Sequence, residues 1–140
     1  MADLLIADDD PDFVDALATI LAAYGHEVRT AHNGEEALKL IDQKLPELVL
    51  LDVEMPVLDG PSTAYRMLVA DMGRENIPII FMSGVVDLHL VAAKVGTPYY
   101  LGKPCKLEAL IALVDRALVE RRPPRATSLL PYDETPLRSR

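Results

Sequence analysis

A single cysteine, Cys105, stands in 140 residues. One thiol cannot form an intrachain disulfide, which fits a reducing compartment, and without a second cysteine it makes no zinc-binding pair. The three histidines, His26, His32 and His89, lack the spacing of metal ligands. No apolar run approaches the roughly 20 residues that a membrane-spanning helix requires. The start, Met1 to Ala7, apolar except for Asp3, is ended by Asp8 before it reaches the length of a signal segment. Positive charge is in deficit, 14 basic against 22 acidic side chains for a net −8. That argues against nucleic acid or an anionic membrane as the main partner, since both demand positive potential on one face. Phosphate-binding P-loop and G-x-S-x-G nucleophile motifs are missing as well. The expectation is a soluble, cytoplasmic protein.

What remains is one domain's worth of chain with a repeating pattern. Short strand-like runs at Leu4 to Ala7, Glu27 to Ala31, Leu48 to Leu51, Ile77 to Met82 and Tyr99 to Leu101, all but the second mainly apolar, alternate with segments of helical period. Several runs are apolar at consecutive positions, as strands covered on both faces require. Phe13, Leu17, Ile20 and Leu21 recur at helical spacing behind Pro11, a residue suited to a first helical turn. Asn33 and Glu36 have the spacing of a capping box ahead of Ala37, Leu38, Leu40 and Ile41. Further helices are predicted at about 61 to 72, 86 to 94 and 106 to 121. Five strand-helix units predict an α/β fold, a parallel sheet between two helical layers.

Charge marks a boundary near the end. Residues 121 to 140 hold five arginines against Asp133 and Glu134, which leaves that segment at +3 and the preceding 120 residues at −11. With Pro123, Pro124, Pro131 and Pro136 and no glycine, the segment has the composition of unpacked chain. The division expected is a domain over 1–121 and a disordered tail over 122–140, with Leu129, Leu130 and Tyr132 as its apolar contacts for a partner or for the domain.

In parallel α/β sheets the chemistry lies at the carboxyl ends of the strands. Asp8, Asp9 and Asp10 follow the first strand, Asp52 the third, Ser83 the fourth and Lys103 the fifth. Converging carboxylates repel unless a cation or a proton intervenes, and a hard oxygen donor set with open positions suits Mg²⁺. Each residue alone has a plainer explanation: acids favour helix starts, a serine can cap a helix, and a lysine is commonly a surface charge. Their recurrence at successive strand ends is what argues for a site.

Leu4 to Pro11 (LLIADDDP), Leu50 to Gly60 (LLDVEMPVLDG), Ile79 to Gly84 (IIFMSG) and Tyr100 to Pro104 (YLGKP) closely resemble the four signatures of response-regulator receiver domains, and His26 to Leu38 is similar to that family's second strand and helix. The resemblance spans roughly residues 3 to 120. It implies a flavodoxin-like (βα)5 fold, a three-layer α/β/α arrangement with strand order 2-1-3-4-5. It also implies phosphorelay signalling, in which Asp52 accepts a phosphoryl group from phosphohistidine. Asp9, Asp52 and the Glu54 backbone carbonyl would hold Mg²⁺, with Asp8 acting through water. Lys103 and Ser83 would contact phosphoryl oxygens, and Gly84 would leave space beside the serine. Lys103-Pro104 would be a cis bond. Asp59 and Gly60 would close the acceptor loop, the glycine supplying positive φ. Ser83 and Tyr100 would form the switch.

The interval from Ser83 to Lys103 is about two residues shorter than is usual in the family, and Pro98, Tyr99 and Cys105 depart from its common residues, so the output face is not carried over. With only about 20 residues after the last helix, the resemblance is to a stand-alone regulator. Its expected partners are a sensor histidine kinase or histidine phosphotransfer protein and a downstream protein target, without direct DNA binding and without a membrane. It would be no enzyme toward other substrates, catalysing only its own phosphorylation and dephosphorylation. The alternative is a phosphorylation-independent binding module of the same fold.

Overall fold

The structure, a computed structural model, describes residues 1–69 and 72–125. Its elements alternate along the chain: β1 (Asp3–Ala7), α1 (Pro11–Ala23), β2 (Glu27–Ala31), α2 (Gly34–Gln43), β3 (Leu48–Asp52), α3 (Gly60–Val69), a 3-10 turn (Arg74–Asn76), β4 (Ile79–Ser83), α4 (Leu88–Val95), β5 (Tyr99–Gly102) and α5 (Leu107–Glu120). All strand pairs are parallel, in the order β2-β1-β3-β4-β5. This is the expected (βα)5 arrangement.

The consecutive apolar runs are explained by the two core layers. Successive strand residues face opposite sides, so Leu5, Val49, Leu51, Ile79 and Phe81 pack with residues of α2, α3 and α4. Leu4, Ile6, Leu48, Leu50, Ile80 and Met82 pack with Val14, Leu17 and Leu21 of α1 and Leu110, Val114 and Ala117 of α5. Every residue of β1, β3 and β4 is buried. The edge strands β2 and β5 keep partly exposed positions, which is why their sequences are more polar.

Local chemistry sets the element ends. The Asp10 carboxylate caps α1, accepting from the N–H groups of Asp12 at 3.1 Å and Phe13 at 3.3 Å. Asn33 Oδ1 accepts from the Glu36 N–H at 2.9 Å, half of the predicted capping box. The other half is not made, because the Glu36 carboxylate lies 3.4 Å from His32 Nδ1. β4 starts at Ile79, two residues later than predicted, since Pro78 has no N–H for the ladder. Pro78 contributes only its carbonyl, to Val49 N at 3.1 Å. α4 starts at Leu88, behind Asp87, which makes no side-chain cap.

The tail expected from residue 122 does not leave the domain at once. Arg121 ends α5 in the left-handed region (φ 54°). Its guanidinium donates to Glu47 Oε1 at 3.0 Å. The Tyr99 hydroxyl accepts from Arg122 N–H at 3.4 Å and donates to Glu120 at 2.9 Å. Pro124 is buried, and the Arg125 N–H donates to the Gly96 carbonyl at 2.9 Å. Residues 126–140, including Leu129, Leu130 and Tyr132, lie outside the described residues.

Candidate functional site

Sheet register brings the predicted residues to one edge. Ala7 pairs with Leu51, Asp52 with Met82, and Ser83 with Gly102. Asp8, Asp52, Ser83 and Lys103 therefore stand at, or one residue beyond, the carboxyl ends of four adjacent strands. Asp8, Asp9 and Asp52 each offer a carboxylate oxygen within 4.8 Å of the others. Asp8 and Asp52 are buried, whereas Asp9 is exposed. Asp10, the third member of the acidic run, points away into the α1 cap.

The Lys103 ammonium supplies the opposing charge. It pairs with the Asp8 carboxylate and lies 3.9 Å from Asp52 Oδ2. Its backbone N–H donates to the Ser83 carbonyl at 2.9 Å, and the Lys103-Pro104 bond is cis. One cation beside three acids leaves the cluster short of positive charge. Burial, then the Asp8 charge, and more weakly the Asp9 charge, raise the Asp52 carboxyl to about 7, against the pull of Lys103 and a hydrogen bond from the Val53 N–H. A buried acid held near neutrality by its neighbours is a functional-site signature. Oxygen donors, an excess of negative charge and an exposed member fit a divalent cation of the Mg²⁺ class.

The supporting residues do not all act as expected. Gly60 closes the acceptor loop, its N–H donating to the Val53 carbonyl at 2.8 Å. It has no positive φ, however; Val57, exposed and at φ 70°, takes the left-handed turn. Glycine is needed at 60 because a Cβ would stand 2.2 Å from the Asp52 carbonyl oxygen. Asp59 caps α3 by accepting from Ser62 N–H at 2.8 Å. At Gly84 an added Cβ would meet only the Lys103 carbonyl at 3.9 Å, so this conformation does not require glycine there. Ser83 is buried, with its Oγ accepting from Val85 N–H at 3.3 Å. Glu54 is exposed in the acceptor loop. Of the adjacent tyrosines, Tyr99 is the one buried in the core, and Tyr100 faces outward, 45% exposed.

One residue was not anticipated. The ring of Phe13, read from the sequence only as part of a helical face, lies with its centroid 4.3 Å from the Lys103 ammonium. Periodicity cannot show this, because the contact joins α1 to the end of β5.

The sequence model of the response regulator receiver domain matches residues 4–115. The chain belongs to this family. It is 37% identical over 127 residues to the transcriptional regulatory protein PrrA of Mycobacterium tuberculosis, covering 89% of this chain and 53% of that protein. It is 32% identical over 136 residues to the transcriptional regulatory protein ZraR of Klebsiella oxytoca, covering 96% of this chain and 29% of that protein. Among solved structures, the receiver domain of NtrX from Brucella abortus superposes with a TM-score of 0.76 at 32% identity, over 84% of this chain and 98% of that one. The receiver domain of Francisella response regulator 1452 gives 0.78 at 27% identity, over 87% and 100%. This receiver thus spans about half, or less, of the regulators it matches.

These relatives correct one expectation. Partners limited to a kinase or phosphotransfer protein and a protein target, with DNA excluded, do not agree with relatives that are transcriptional regulators. The exclusion rested on the acidic charge balance and on the few residues that follow α5, and neither the charge of a receiver nor the chain beyond it tells what output it serves. As to membranes, no helix among the described residues is long and apolar enough to cross one.

Proposed function

We propose that this receiver is switched by phosphorylation of Asp52 in the presence of Mg²⁺. The observation that carries this reading is the convergence of Asp8, Asp9 and Asp52 within 4.8 Å, beside the Lys103 ammonium. An Asp52 oxygen attacks the phosphorus of a phosphohistidine, and the P–N bond breaks with its electron pair returning to the imidazole nitrogen. A carboxylate needs no general base for this, only ionisation, alignment and relief from anion repulsion.

Asp9, Asp52 and the Glu54 carbonyl would hold the ion, with Asp8 behind it. Bound there, Mg²⁺ supplies neutralising charge between the acceptor and the incoming phosphoryl group. Lys103 transfers its ammonium from Asp8 to a phosphoryl oxygen, a move across a cluster in which Asp52 is already 3.9 Å away. Ser83 Oγ turns from its contact with the Val85 N–H to donate to a second phosphoryl oxygen. Ser83 pairs with Gly102 of β5, so a change at Ser83 lies beside the last strand of the sheet, where it can bias a two-state surface. The chemistry is confined to the protein's own phosphate.

Incubation with Mg²⁺ and acetyl phosphate, followed by intact mass measurement, tests the reading. Wild type gains one acid-labile phosphate and Asp52→Ala gains none. An unlabelled wild type, or equal labelling of the variant, refutes it and leaves a phosphorylation-independent module.

A further inference from the structure

Lys103 has a long stem and a backbone held by the Ser83 carbonyl, so its ammonium must be placed by what surrounds it. Two groups do so on one side, Asp8 and Asp52. On another lies the Phe13 ring, 4.3 Å from Nζ, within the range at which the negative face of an aromatic ring attracts a cation. The ring is itself fixed. Phe13 sits in the first turn of α1, where its N–H donates to the Asp10 cap at 3.3 Å, and its side chain packs on the core layer shared by α1 and α5.

The contacts differ in kind. Carboxylates that hold the ammonium at rest also compete for it when a phosphoryl group arrives. An uncharged ring attracts the ammonium without neutralising it and without occupying a phosphoryl position. We infer that Phe13 is a positioning residue for Lys103, limiting where its ammonium can go while the Asp8 contact is exchanged for a phosphoryl oxygen. This rests on the proposed phosphorylation of Asp52. Asp8 and Asp52 hold the ammonium from one side, and the ring adds an attraction from another that does not depend on the carboxylates.

Phe13→Leu keeps an apolar side chain without the π face, whereas Phe13→Tyr and Phe13→Trp keep the face. Two readouts separate electrostatic placement from packing. The first is the ring-current shift of the Lys103 Hε protons by NMR, assigned with Lys103→Arg; it is expected in wild type, Phe13→Tyr and Phe13→Trp and lost in Phe13→Leu. The second is the rate of labelling by acetyl phosphate with Mg²⁺, expected to fall about three- to tenfold in Phe13→Leu and to be retained in Phe13→Tyr. A Phe13→Leu protein that labels at the wild-type rate overturns the inference, as does a loss equal in Phe13→Leu and Phe13→Tyr, which marks a packing role. If wild type takes no phosphate the functional reading fails, but a wild type lacking the Lys103 shift refutes the positioning role by itself.

Discussion

At the scale of single residues, Asp52 carries the largest testable charge effect. Its carboxyl is raised to about 7 in the fold, against about 3.9 for an unperturbed aspartate. The native state therefore binds this proton more tightly than the unfolded chain does. Metal-free stability should fall as pH rises from about 4 to about 7 and then level off. Asp52→Asn removes the ionisation and with it this slope. The variant should match wild type near pH 4 and exceed it by about 2–4 kcal/mol at pH 8 without divalent ions. Urea melts across that range in chelator decide the matter; parallel wild-type and variant profiles would mean that the carboxylates do not crowd Asp52. At this scale the sequence showed residue types but not their neighbours. Asp8, Asp9, Asp52 and Lys103 were legible because they follow apolar runs. Phe13 at Lys103 and the left-handed Val57 were not, since each depends on where another segment lies.

At the scale of elements, two glycines with nearly the same φ allow strain to be separated from packing. Gly25 after α1 has φ 92° and open space where a Cβ would be. Gly96 after α4 has φ 88°, but a Cβ there would stand 1.7 Å from the Arg125 carbonyl oxygen. Gly25→Ala should cost about 1 kcal/mol, the penalty for forcing alanine into this region. Gly96→Ala should cost at least twice that, roughly 2–4 kcal/mol, because it also displaces residues 122–125 from the end of α4. Equal losses in thermal or urea melts would show that those residues exert no hold on the fold. The seating of 122–125 was illegible because Pro123, Pro124 and flanking arginines have the composition of unpacked chain. It is the buried Pro124 and the Arg125 bond to Gly96 that hold them. Strands were easier: β1, β3 and β4 announced themselves by unbroken apolar runs that only a two-sided core explains. The strand order itself came from family resemblance, since periodicity cannot say which strand lies beside which.

For the whole molecule, the sheet separates two kinds of charge. At its amino edge, Asp3 and Glu47 are matched by Arg29, Lys44 and Arg121. At its carboxyl edge, three carboxylates face one lysine. That imbalance is a cost to the empty fold and a gain to the occupied one, because the carboxylates come from the loop after β1 and from the end of β3, segments that only folding brings together. An ion that binds the native state alone stabilises it by RT ln(1 + [L]/Kd), about 2.7 kcal/mol at one hundred times Kd. Wild type should then gain roughly 3–5 °C in Tm for each kcal/mol as Mg²⁺ is added, while Asp52→Asn, lacking a charged ligand, changes little. Since the variant starts out more stable, the two titration curves should cross near pH 8, at a Mg²⁺ concentration on the order of one hundred times the wild-type Kd. At pH 6 protons compete for Asp52, which weakens Mg²⁺ binding but also narrows the starting gap between the variant and wild type, so the crossing should stay near the same Mg²⁺ concentration while the difference without Mg²⁺ shrinks. Parallel curves at both pH values would separate ion binding from Asp52 and remove the basis for a metal-assisted phosphoacceptor.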